Sequence, residues 1–160
     1  FEATEEERGV LSSLQRTCSE GSHDTEISGG LTSFQPKEYS DATKTHYMFD
    51  MNGKKILLLS ARKIPEMFKE FKEKSGLSLS DLDYIIPHQA SRALPMVMRS
   101  LGIPDDKYLN IVQDYGNMVS VAVPFSLCYA LERNLVKEGD TIALMGTAAG
   151  MTVNMLAMKL

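Results

Sequence analysis

Three short stretches hold the groups from which a reaction site could be built: Pro87-His88-Gln89, Tyr115-Gly116-Asn117 and the small-residue run Gly146-Thr147-Ala148-Ala149-Gly150. An imidazole, a carboxamide and a loop of backbone N–H groups form a set of hydrogen-bond donors. If they meet on one rim, they suit a reaction in which negative charge develops on a carbonyl oxygen, as an enolate or an oxyanion. Neither His88 nor Asn117 needs to change charge in that role. The histidine must stay neutral on the ring nitrogen that does not donate, and burial favours the neutral form. A plainer reading fits the same residues. A histidine after a strand commonly serves a loop or a cap, Gly-Asn is a common turn pair, and small-residue loops occur at hairpins. Spacing alone leaves both readings open.

The flanking sequence supplies elements to position these stretches. From Gly53, the residues Ile56, Leu57, Leu59, Ile64, Phe68 and Phe71 recur at roughly helical spacing, and Gly76 is a plausible stop. Pro65 predicts a bend or a division of that helix. Tyr84-Ile85-Ile86 reads as a short buried strand followed by a helix from Ser91 to Leu101. A second strand, Tyr108 to Val112, leads into an apolar helix from Val119 to about Val136, which tolerates Pro124 only in its first turn or at a kink. Thr141 to Met145 and Thr152 to Lys159 read as strands joined by the Gly146–Gly150 run. Strands alternating with helices imply a parallel α/β sheet. In such sheets ligands bind beyond the carboxyl ends of the strands, which is where the three stretches fall. Residues 1–46 are polar and broken by Gly9, Gly21, Gly29, Gly30 and Pro36, and read as one strand and a long loop. The division expected is therefore 1–46 as a lead-in and 47–160 as a catalytic half-domain.

Composition narrows the function classes. With 160 residues, 43% apolar and 24% charged, the chain can bury a core of its own. A net charge of −4 and a pI near 5.4, with no basic stripe, argue against a nucleic-acid partner. The longest apolar stretches are interrupted by polar residues and fall short of a bilayer span. The acidic opening, Phe1 to Glu7, lacks the basic start and apolar run of a secretory signal, so a cytoplasmic location is expected. Cys18 and Cys128 show no metal-ligand spacing, so no metal site is expected.

The wording of the motifs carries more than their spacing. Tyr84-Ile85-Ile86-Pro87-His88-Gln89-Ala90, then Gly116-Asn117, then Val123-Pro124, the small-residue loop and a terminal strand closely resemble the carboxy-terminal half of β-ketoacyl-acyl carrier protein synthase III. The resemblance runs from about Gly9 and is strongest from Asp83 onward. It implies a thiolase-like fold, here its carboxy-terminal half, with a mixed five-stranded sheet and helices packed on it. It also implies an acyltransferase in fatty acid biosynthesis that needs no cofactor. Its substrates would be acyl-coenzyme A and malonyl-acyl carrier protein, joined by decarboxylative Claisen condensation. By the same resemblance His88 and Asn117 hydrogen-bond the malonyl thioester carbonyl during loss of carbon dioxide. The loop residues Ala149 and Gly150 match the position that helps hold a second oxyanion, and Gln89, Ser91 and Arg92 lie on the pantetheine side. The family works as a homodimer with a nucleophilic cysteine in its first half, so the resemblance places that cysteine upstream of Phe1. The chain by itself is then expected to be inactive, a shortened or split product.

Departures from the family pattern open alternatives. Family members carry Asn after His-Gln-Ala and Arg two places later, where this chain has Ser91 and Ala93. After Gly-Asn the usual Thr-Ser-Ala-Ala is replaced by Met118-Val119-Ser120-Val121, and the closing loop has alanines where glycines are usual. A related enzyme of secondary metabolism or of head-to-head acyl condensation is one alternative. A non-catalytic half-domain that associates with a partner chain is another. A plant-type polyketide synthase fits less well, because that family has His-Pro-Gly-Gly where this chain has His88-Gln89-Ala90-Ser91. Of the two cysteines, Cys128 reads as a buried, inert thiol within the apolar helix, and Cys18 as the better exposed.

Overall fold

The computed structural model describes residues 8–30 and 32–160, so the acidic opening of the 1–46 segment lies outside the described residues. In chain order the elements are β1 (Gly9–Thr17), β2 (Thr25–Glu26), β3 (Asp50–Met51), α1 (Gly53–Ser75), β4 (Tyr84–Pro87), α2 (Leu94–Ser100), the single turn α3 (Val112–Tyr115), α4 (Ala122–Glu132), β5 (Thr141–Ala148) and β6 (Thr152–Lys159). β2 and β3 pair only with each other, and no helix among the described residues is long and apolar enough to cross a membrane.

Helix α1 has the expected limits because both of its ends are capped. Asn52 Oδ1 accepts from Lys55 N at 3.1 Å, and Gly76 takes the left-handed conformation (φ 70°) and returns its N–H to Lys72 O. Leu59, Ile64, Met67, Phe68 and Phe71 form its buried stripe. Pro65 does not divide the helix, which runs unbroken from Gly53 to Ser75. An interior proline costs about 3 kcal/mol, and burying two phenylalanines just beyond it is worth roughly as much or more.

The main sheet has the strand order β1-β6-β5-β4. Only β4 and β5 run parallel, while β5–β6 and β6–β1 are antiparallel, so the sheet is mixed rather than wholly parallel. It has four strands where the resemblance implies five. The expected strand Tyr108 to Val112 shrinks to a single parallel bridge between Tyr108 and Ile85, and Val112 already begins α3. The next rung of that ladder would need an N–H on Pro87, which has none.

Each face of the sheet has its own cover. One face carries Leu14, Ile85, Ala143, Met145, Val153 and Met155 into a core with Phe68 and Phe71 of α1 and Met98 of α2. The other packs Ile86, Ile142 and Met158 against Ala130 of α4 and Val136 beyond it. Helix α4 turns Ala122, Ser126 and Ala130 inward. These small residues recur every four positions, which lets the helix lie close to the sheet. Pro124 falls in the first turn of α4, and the helix ends at Glu132, short of Val136.

Both cysteine expectations are reversed. Cys18 is 7% exposed, and its backbone pairs with Met151 in both directions, at 2.7 and 3.2 Å. Cys128 is exposed, because the apolar sequence of α4 does not mean that every face of it is covered.

Candidate active site

Where α4 leaves β6 and β1 bare, an open groove of about 430 Å³ runs along the sheet. Ser13 and Gln15 of β1, Asn154 and Leu156 of β6, and Leu144 and Gly146 of β5 contribute to it. The strand registers explain why: Gln15 sits opposite Asn154 and Asn154 opposite Gly146, while Ser13, Leu156 and Leu144 form the adjacent row. His88, Val119, Ser120 and Val123 also line it. No Asp, Glu, Lys or Arg side chain is among the lining residues.

His88 follows directly on the last residue of β4. Its backbone N–H donates to Met145 O at 2.7 Å, which sets it beside Gly146. The ring is half-buried, and desolvation lowers its pKa from the ordinary value of 6.5. With no carboxylate in the groove to hold a proton on it, the neutral form of the ring is favoured.

Asn117 sits on an unusual turn. Gly116 has φ 68° and ψ −163°, a conformation essentially restricted to glycine, which explains the Gly-Asn order. Asn117 Oδ1 accepts from Val119 N at 2.9 Å. Because a backbone N–H can meet only the oxygen of the carboxamide, its NH2 end is left without a partner among the described residues. Asn117 is exposed and does not itself line the groove, but Val119, two residues on, does. The structure therefore brings His88, the end of β5 and the start of the α4 segment to one groove, with Asn117 next to its wall.

The other predicted residues fall elsewhere. Ala149 and Gly150 form the turn between β5 and β6, just past the lining residues Thr147 and Ala148, with Gly150 at φ 107°. Ser91 and Arg92 are exposed on the turn before α2 and do not line the groove. Gln89 is 0% exposed and faces the interior rather than a ligand. Its Nε2 donates to Pro87 O (2.9 Å) and Leu109 O (3.1 Å), and its Oε1 accepts from Ile111 N (2.9 Å).

Sequence reasoning did not single out Ser13, Gln15 or Asn154, polar residues that line the groove. The period-two alternation of β1 and β6 was the available signal for them. A second depression, lined by Glu26, His46 and Asp50 among others, contains none of the predicted residues, and no metal-ligating cluster exists among the described residues.

Residues 72–160 match the family model of the 3-oxoacyl-[acyl-carrier-protein] synthase III C-terminal region. This chain belongs to the 3-oxoacyl-[acyl-carrier-protein] synthase III family. A β-ketoacyl-[acyl-carrier-protein] synthase III of Clostridium perfringens is 32% identical, with 94% of this chain and 49% of that protein matched. The same enzyme of Synechocystis sp. is 38% identical, with 72% of this chain and 35% of that protein matched. The chain thus spans about half the length, or less, of these curated relatives. Among solved structures, the 3-oxoacyl-[acyl-carrier-protein] synthase III of Aquifex aeolicus superposes with a TM-score of 0.80 at 22% identity, covering 99% of this chain and 46% of that one. The fold is thiolase-like. The synthase III match takes in His88, Asn117 and the Ala149-Gly150 turn, whereas β1, which supplies Ser13 and Gln15 to the groove, precedes it.

Proposed function

We propose that this chain, together with the part of its relatives' length that it does not span, catalyses decarboxylative Claisen condensation of an acyl thioester with malonyl-acyl carrier protein in fatty acid biosynthesis. A cysteine outside this chain takes the acyl group from acyl-coenzyme A. His88 and the NH2 of Asn117 donate to the malonyl thioester oxygen. The bond between the malonyl α-carbon and its carboxylate breaks, the electron pair passes into the enolate, and carbon dioxide leaves. The enolate carbon then attacks the acyl carbon, with Ala149 N–H stabilising the tetrahedral oxyanion. Collapse expels the cysteine thiolate and leaves the 3-oxoacyl chain on the carrier protein. Ser91 and Arg92, exposed outside the groove, are within this reading contacts for the pantetheine arm. The working form is a homodimer.

The observation that carries this reading is a half-buried histidine with a lowered pKa in a groove lined by no charged side chain, with the exposed carboxamide of Asn117 bonded to the backbone of the lining residue Val119. Uncharged donors in such a setting stabilise developing negative charge without reorganising. Replacing His88 or Asn117 by Ala in the complete protein should suppress malonyl decarboxylation far more than acyl transfer to cysteine. Equal loss of both half-reactions would remove this division of labour.

Ser91, Ala93 and Met118 favour a second reading, a condensing enzyme whose second substrate is not a carrier-protein thioester. Turnover with acyl-coenzyme A and acyl carrier protein substrates, compared side by side, separates the two.

A further inference from the structure

We infer that Gln89 is a positioning residue, a spacer one amide thick that sets the separation between His88 and Asn117; the inference rests on the roles proposed for those two residues. In a parallel ladder one residue donates to one partner carbonyl and accepts from the amide two residues further on, and the pattern repeats every second residue. Ile85 of β4 does this: its N–H donates to Lys107 O at 2.9 Å, and its carbonyl accepts from Leu109 N at 3.0 Å. The next rung belongs to Pro87, which should donate to Leu109 O and accept from Ile111 N.

Pro87 cannot donate. The side-chain amide of Gln89 takes over both bonds, its Nε2 donating to Leu109 O and its Oε1 accepting from Ile111 N, while the second Nε2 hydrogen returns to Pro87 O. A carboxamide thus stands where a peptide group would have paired, with both of its N–H bonds used and no solvent exposure. The segment 109–111 is held one amide away from β4 at the point where His88 leaves the sheet.

The chain between Ile111 and Asn117 is short and tied down. Ile111 O accepts from Asp114 N and Tyr115 N, both at 3.1 Å, and Gly116 N donates to Val112 O at 3.0 Å. The single turn α3 is therefore all that lies between Gln89's anchor and Asn117. On the other side, Gln89 is the immediate neighbour of His88, which is fixed to Met145 O. One buried side chain joins both hydrogen-bond donors of the site, so the hydrogen bonds of its amide determine how far apart they stand.

The test compares Gln89→Met, which keeps the side-chain length but removes its polar atoms, with Pro87→Ala/Gln89→Met, which restores an N–H to β4. Both are made in the complete protein beside His88→Ala and Asn117→Ala. Gln89→Met should lower kcat for malonyl decarboxylation at least ten-fold, with KM and the rate of cysteine acylation changed less than two-fold. Should Gln89→Met fail to fold, the double variant decides. It should regain thermal stability, because the restored backbone N–H can complete the ladder, yet stay deficient in decarboxylation, because the amide bonds that hold 109–111 one amide away from β4 are gone. Recovery of decarboxylation together with stability would reduce Gln89 to a structural residue, and a rise in KM with kcat intact would make it a substrate contact. Either result overturns the inference. If His88→Ala and Asn117→Ala both keep normal decarboxylation, it is the catalytic reading that falls.

Discussion

The backbone N–H of Val119 donates to Asn117 Oδ1 at 2.9 Å while Val119 itself is held at φ 54°. A β-branched residue rarely adopts that conformation, and such strain costs of order 1–3 kcal/mol. Val119 is also 74% exposed, so burial does not offset the cost. Relief of the strain is measurable. Val119→Gly keeps the N–H and accepts the backbone angle, and should raise stability by about 1 kcal/mol in denaturant unfolding, with decarboxylation retained. A destabilised Val119→Gly protein would mean that the valine side chain makes a contact of value.

The same hydrogen bond makes Asn117→Asp informative. A carboxylate still accepts from Val119 N, so the turn and the fold should persist. The other terminal atom changes from donor to acceptor, and a negative charge faces the developing enolate. Loss of one such donor typically costs about a hundred-fold or more in rate. Decarboxylation by Asn117→Asp should fall at least that far with an unchanged circular dichroism spectrum. Near-normal turnover would leave Asn117 as a turn residue and nothing more.

The pH dependence follows from the lowered pKa of His88. The unfolded chain binds a proton near 6.5, and the folded chain binds it only at lower pH. The contribution of His88 to stability is therefore present above 6.5 and is lost as pH falls through the lowered folded value. The neutral ring also persists below 6.5, so the acid limb of the decarboxylation profile should lie below that pH. An acid limb above 6.5 that disappears in His88→Ala would contradict a desolvated setting for the ring.

Much of this arrangement is legible in residue order, and the parts that are not have physical causes. Helix α1 is legible because Asn52 and Gly76 cap a continuous apolar stripe. β4, β5 and β6 are legible because their strand patterns are clear, yet nothing local says that β1 pairs with β6 along its whole length. The strand at Tyr108 reads too long from sequence because the consequence of Pro87 lies across the sheet, not in the strand itself. Gln89 reads as a substrate contact for a related reason: a polar residue beside a candidate site histidine looks exposed until its partners are found. The meeting of His88 with the β5 end depends on the parallel β4–β5 register, which the alternation of elements foreshadows.

Asn154 limits what the groove floor can accept. A Cβ added at Gly146 would stand 2.7 Å from Asn154 Oδ1, the far end of an exposed side chain that can swing aside. Gly146→Ala should therefore fold with little change in melting temperature, but it adds a methyl group beside His88 and should raise KM for the malonyl substrate several-fold. Asn154→Ala in the same protein should relieve the crowding and recover part of the loss. No change in KM would mean that substrate does not reach the floor of the groove.

Helix α4 presents apolar surface on the side away from the sheet. Tyr115, Phe125 and Tyr129 cluster in tilted and edge-on contacts with centroid separations of 4.9, 5.8 and 6.4 Å, and Arg133 lies over Tyr129 at 4.3 Å. Val121, Leu131 and Leu135 are exposed nearby, as is Cys128. A helix that is apolar nearly all round is ordinarily covered on more than one side, and a patch of this kind marks an association surface. Because the chain spans about half the length of its Clostridium relative, the proposed cover is the remaining half of the protein. Cys128 reports on this directly. A maleimide should label it within minutes in this chain and much more slowly in the complete protein, while buried Cys18 stays unlabelled in both. Equal labelling of Cys128 in the two would mean that the face stays open and that its aromatic cluster serves another contact.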